Sequence, residues 1–223
     1  MMPDAERALL CHVIGTADAA IPGAARAAAR AFMLDTLAVG IAGTAHEGRP
    51  GVLAAARCWG AGTEAAVWGD AARLPAAQAA FVNAFQAHAL EFDAIHEAAV
   101  VHAMTPTLAA ALAEAERQRS VSGSRLVSAV VLGLDLACTI GAASRATMRF
   151  FRPATAGMFG AYGAVARLRG FDLATASAGA GLLLGQIPGT MQAHHEGSAA
   201  LAVQMGFAAA AGLRAADLAG CGT

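Results

Sequence analysis

The chain has 223 residues, of which 57% are hydrophobic and 14% charged, so it can bury one large core or two small ones. A net charge of −1 and a pI near 6.6 exclude the clustered basic surplus of a nucleic-acid binder. All fifteen cationic side chains are arginines, which excludes Schiff-base and pyridoxal-phosphate chemistry on a lysine of this chain, and the usual phosphate-loop lysine. The four cysteines (Cys11, Cys58, Cys138, Cys221) are far apart with no C-x-x-C or zinc-like spacing, as for small buried hydrophobes in a reducing cytoplasm. The N-terminal M-M-P-D-A-E-R lacks the charged-then-apolar run of a secretory signal.

In chain order, the pattern predicts a short amphipathic helix over Asp4–Ala17 and a second helix over Pro22–Ala42, with Pro22 in its first turn and Gly43 closing it. Phe32, Leu34, Leu37, Val39 and Ile41 crowd all sides of that second helix, which predicts a central position. Val52–Trp59 reads as a weaker helix, and Glu64–Gly69 as a lone strand or hairpin arm. Leu74–Leu90 is a strong helix, and a helix from Pro106 to about Arg119 has Thr105 as its expected cap. Arg125–Ser144 is apolar apart from Asp135, which predicts burial on most sides. Met148–Gly157 reads as a loop carrying arginines, followed by helices over Met158–Arg169 and Leu173–Leu184, a connection over Gly185–Gly197 and a last helix over Ala199–Ala219. The mean hydropathy of +0.52 raises the question of a membrane. Leu173–His195 has no Asp, Glu, Lys or Arg, yet its glycines, Ser177, Gln186, Pro188 and Gln192 read as a buried helix plus a loop rather than a span. The expected fold is an all-α multi-helix bundle of largely buried Ala/Gly/Leu-rich helices, a single domain over 1–223.

Titratable groups concentrate in His88–Pro106, which holds three of the seven histidines with Glu91, Asp93 and Glu97. His88 and Glu91 are three apart at a helix end and face the same way, with Asp93, His96 and His102 in the following loop. Two chemistries fit: a metal site using His88, Glu91, His96 and His102, or general acid/base work by an imidazole that a carboxylate orients. His102, just before a Thr-Pro helix start, stands where a helix N-terminus favours a bound anion. Arg152 in R-F-F-R-P-A-T-A-G can clamp a carboxylate or form a surface ion pair. Gln192–Ser198 is a third polar, glycine-bearing stretch, or a simple exposed turn.

These pieces carry a family resemblance. F-M-L-D-T-L-A-V-G-I-A-G at 32–43, L-P-A-A-Q-A-A-F-V-N-A-F-Q-A-H-A-L-E-F-D at 74–93, His102, P-A-T-A-G-M-F-G-A at 153–161 and E-G-S at 196–198 resemble, in order and spacing, the MmgE/PrpD family, from about Ala29 onward. That family includes 2-methylcitrate dehydratase, cis-aconitate decarboxylase and iminodisuccinate epimerase. The resemblance implies the helical first domain of a two-domain, usually dimeric cytoplasmic enzyme without metal or organic cofactor, acting on small di- or tricarboxylates. It also implies that the family's smaller α+β lid domain is missing here, through shortening, a split gene or a separate lid-domain chain.

By the same resemblance, His102 would be the general acid/base, Asp93 and Glu91 its orienting or second acid/base groups, and His96 a supporting donor. Arg152, Gln204 and His88 would bind substrate. The chain departs from the family pattern at Ala94 and Ile95, at Arg152 where F-H-P is common, and at Leu201 and Gln204 where a K-x-x-H pair usually stands. The expectation is a lyase or isomerase that moves a proton beside a substrate carboxylate, with no membrane or nucleic-acid partner. The alternative is a non-catalytic helical subunit.

Overall fold

The computed structural model describes residues 4–145 and 147–223. Its helices are α1 (Asp4–Gly15), α2 (Gly23–Ala42), α3 (Arg49–Cys58), α4 (Ala76–His88), α5 (Met104–Gln118), α6 (Gly123–Ala143), α7 (Arg152–Arg169), α8 (Leu173–Leu184), α9 (Gln192–Glu196) and α10 (Ala200–Gly220). One antiparallel hairpin, β1 (Ala65–Ala66) with β2 (Arg73–Leu74), interrupts them where a lone strand or hairpin arm was expected. The fold is an all-α bundle.

α10 packs on α4, α7 and α8, α5 lies between α4 and α7, and α6 runs along α7. α4 is an interior helix, buried on every side from Ala79 to His88, with its polar Asn83 and Gln86 hydrogen-bonded to the backbone around Ala66 and Trp68. Small residues set the spacing of this core. A Cβ on Gly133 would lie 2.6 Å from the Gly160 carbonyl oxygen, and one on Gly212 would lie 2.7 Å from the Tyr162 nitrogen. At the far end, buried Glu114 accepts hydrogen bonds from Arg117, Gln118 and Arg169, and Arg169 also reaches Asp217 at 2.5 Å. That network ties α5, α7 and α10 together, although burial pushes the Glu114 carboxyl pKa up.

Four expectations need correction. Cys11, Cys58 and Cys221 are exposed rather than buried, and Cys138 is half-buried. α2 is peripheral rather than central: Phe32, Leu34 and Ile41 are 48%, 70% and 54% exposed, and only the stripe Ala29, Thr36 and Gly40 is buried. Apolar crowding showed that the helix is greasy on several sides, but within one chain the face that meets the core is the small-residue stripe with Met33 and Leu37 beside it. Met148–Gly157 is not all loop, because α7 already starts at Arg152 with Pro153 in its first turn, where a missing N–H costs nothing. Thr105 does not cap α5. It lies inside the first turn and its hydroxyl turns to Asp93. Elsewhere the expected helices stand with shifted ends; α6 is buried through Val127–Gly133 and capped by Ser122, and α9 adds one short turn inside Gly185–Gly197.

The close packing has a measurable consequence. Gly212→Ala should lower stability by about 1–3 kcal/mol by overpacking against Tyr162. Gly181→Ala, in α8 with nothing within 4 Å, should raise it by about 0.5–1 kcal/mol. Urea midpoints of the two variants check both signs.

Candidate functional site

The site is built where α4 ends. His88 is its last residue, and the chain then turns sharply through Glu91, whose left-handed φ of 52° goes with a hydrogen bond from its N–H to the His88 carbonyl at 2.9 Å. A tight loop closed by the bridge between His96 and Val101 brings His102 back beside Asp93, and α5 begins two residues later. Asp93 therefore sits among the end of α4, its own loop and the first turn of α5.

Its carboxylate is buried and takes three donors. His88 Nδ1 lies 2.9 and 3.1 Å from its two oxygens, His102 Nδ1 lies 3.3 Å from Oδ1 and 3.0 Å from the Asp93 carbonyl oxygen, and the Thr105 hydroxyl donates to Oδ2. Burial opposes the charged carboxylate, but the hydrogen bonds from His102 and His88 outweigh it and hold its pKa well below the usual range. A carboxylate and a carbonyl only accept, so both imidazoles must carry a proton on Nδ1. In a neutral ring that leaves Nε2 with a lone pair. For His102, burial works against the charged ring, yet the hydrogen bond and charge of Asp93 raise its pKa above the ordinary 6.5. The His88 ring is 2% exposed, and its Nε2 is buried with no hydrogen-bond partner.

Two small adjoining cavities open beside these rings. One, about 140 Å³, has His88, Glu91, His102, Phe151 and His194 in its walls. The other, about 200 Å³, has His46, His88, Glu91, His194 and Ser198. Leu201 belongs to both. The arrangement can hold, accept and return a proton beside a small ligand. Among the described residues, His88, Asp93 and His102 also bring potential ligand atoms within 4.8 Å of one another, close enough to hold a metal ion. Neither Glu91 nor His96 belongs to that group.

Of the residues named from sequence, His88, Glu91, Asp93 and His102 come together. His96 is turned into its own loop, where its Nδ1 accepts from the Ala99 N–H at 3.1 Å. Arg152 and Gln204 line neither cavity. Arg152 donates to the Ala99 carbonyl at 3.2 Å, which ties α7 to the His96 loop. Gln204 accepts from the Thr190 N–H at 2.5 Å, steadying the bridge between Thr190 and Phe150 that seats Phe151 against the His88 ring. Sequence reasoning missed Thr105 as a partner of Asp93, although its place three residues after His102 at a helix start was visible. It also missed His46, which arrives from the α2–α3 connection and carries no local signal.

The two shifts give opposite pH dependences. A lowered pKa at Asp93 contributes stability that is present above the ordinary carboxylate range and lost on acidification. A raised pKa at His102 contributes stability that is complete below 6.5 and lost as the pH rises through the folded value. The stability gap between the wild type and His102→Gln should therefore be widest near about pH 6 and narrow above neutrality. Urea unfolding across that range measures it, and a gap that widens with pH would contradict the assignment.

Residues 9–223 match the MmgE/PrpD N-terminal domain, a match that starts upstream of the Ala29 limit drawn from motifs. A comparison with curated proteins finds no match. The match spans nearly the whole chain and includes the loop that carries Asp93 and His102, and the chain belongs to the MmgE/PrpD family as its N-terminal domain.

Proposed function

We propose that this chain carries the acid/base centre of a lyase or isomerase that moves a proton next to a carboxylate of a small di- or tricarboxylate. The observation that carries this reading is the single buried carboxylate of Asp93 holding two imidazoles by their Nδ1 atoms beside a cavity. A proton on carbon next to a carboxylate is weakly acidic because its removal places new charge near an existing anion. The base must be fixed, and the developing charge must meet a donor already in place.

His88 and His102 divide this work. With Nδ1–H on Asp93, the buried Nε2 of His88 keeps its lone pair and is the atom that accepts a proton. His102, whose raised pKa keeps it protonated to higher pH, supplies one. The rings lie 4.9 Å apart in an edge-to-face arrangement, so both can reach one small ligand. Asp93 and Thr105 hold the pair, and Glu91 at the mouth supplies a second carboxylate. This division requires no cofactor.

An exposed face of α2 supports self-association of this domain as a homodimer, because Leu34 and Ile41, seven residues apart on one side of the helix, present apolar side chains that water would not favour. Leu34→Glu should then give a monomer by light scattering where the wild type gives a dimer.

The test of the activity is deuterium uptake from D₂O into small hydroxy- and dicarboxylates, followed by NMR. His102→Ala should slow exchange about 10²–10⁴-fold. An unchanged rate removes His102 from the chemistry. A folded chain that exchanges no substrate of the class would favour the non-catalytic helical subunit.

A further inference from the structure

We infer that His194, assisted by His46 and Ser198, binds the carboxylate of the ligand on the α9–α10 side of the two cavities, facing the proton-accepting edge of His88. This deepens the acid/base reading above and rests on it.

The cavities share the walls His88, Glu91, His194 and Leu201, so a ligand at their junction touches both histidines. On one side, His88 Nε2 is buried without a partner, and with its proton on the Asp93 side this atom accepts. It suits a ligand hydroxyl or an acidic C–H, and it is unsuited to a bare carboxylate oxygen. The carboxylate of the same ligand must therefore lie elsewhere, against donors.

Arginine and lysine do not supply those donors. The chain has no lysine, and neither cavity has an arginine among its lining residues. Glu91 repels an anion. With His102 assigned to proton transfer, the remaining donors are imidazoles and a hydroxyl on the far wall. His46 accepts the Gly48 N–H at Nδ1, at 3.0 Å, which places its own proton on Nε2 and makes that atom a donor. Ser198 accepts the Ala200 N–H at 3.2 Å and keeps its hydroxyl hydrogen for a ligand. His194 lines both cavities and stands at the exposed mouth, so it is the one donor on that wall that a ligand in either cavity meets.

The turn is well placed for this task. α9 ends at Gly197 in the left-handed conformation with φ 59°, and the Ser198 N–H bonds back to the Ala193 carbonyl at 3.0 Å. Those bonds fix His194 and Ser198 relative to each other. The neighbouring His195 lines neither cavity, which makes it an internal control. Two adjoining lobes suit a ligand with two functional ends, a short hydroxy- or dicarboxylate.

Isothermal titration of the full chain with malate, malonate and succinate tests the inference. For the probe that binds, His194→Ala should weaken affinity about tenfold or more, the scale of a lost hydrogen bond to a charged group. His194→Gln should keep part of it, and His195→Ala should stay within about twofold of the wild type. Unchanged melting temperatures would show that the variants remain folded, as expected for exposed side chains. Equal affinity in His194→Ala and the wild type overturns the inference, while the acid/base reading stands or falls on the His102→Ala exchange rate. No binding of any probe at millimolar concentration overturns the inference as well, and deuterium exchange then reports on the acid/base reading alone.

Discussion

A carboxylate buried beneath a site stays ionised only if donors replace the water it has lost, and those donors must come from groups the fold can hold still. Asp93 meets that condition with three side chains from two helix ends and a loop: His88 closing α4, Thr105 opening α5 and His102 just before it. Each donor is fixed by the element that carries it, and those elements are interior. α4 is buried almost throughout, and α5 from Met104 to Ala111. The burial of both helices is thus the means by which one charge organises two imidazoles.

The rest of the scaffold uses arginine for a purpose lysine serves poorly. Arg167 sends one guanidinium to the Val13, Ile14 and Thr16 carbonyls and to Asp18, closing the C-terminus of α1 from the opposite helix. Arg125 reaches the Leu168 carbonyl at 3.1 Å, and Arg152 reaches that of Ala99. A planar fork with several donors can satisfy multiple carbonyls at once, whereas an ammonium is a point charge with a large hydration shell. Short side chains let the helices approach, and arginines then stitch the helix ends that this approach leaves uncapped.

How much of this could be read from the sequence depended on whether the signal was local. His88 at the α4 end, Asp93 and His102 stood out by density of titratable groups, whereas Glu91 reaches the site through a left-handed turn past the helix and not by the helical spacing expected of it. The role of Thr105 did not, because Thr-Pro at a helix start matches the usual cap, and only the return of the loop through the His96–Val101 bridge sets the hydroxyl against Asp93. Arg152 and Gln204 carried substrate-binding expectations because their side chains suit a carboxylate. The structure places both against backbone groups instead, where they steady the Ala99 and Thr190 segments. For α2 the pattern was legible but its partner was not. Periodicity reports that a face is apolar, and it does not report whether the neighbour that covers it belongs to the same chain.

That distribution of roles shapes how the site can act. With arginines engaged in the scaffold and Leu201 forming the wall shared by both cavities, the groups nearest to the buried rings are imidazoles, one hydroxyl and Glu91. Imidazole is the side chain whose charge changes near neutrality, so a pocket built from it can release or take a proton without a permanently fixed cation to trap the product anion. Asp93 anchors the two deepest rings. It lies against the Nδ1 of each, but the Nε2 of His88 is fully desolvated while His102 keeps partial access to solvent. Two residues of the same type thereby share one anchoring carboxylate but differ in their access to solvent, one ring edge being buried and the other partly open.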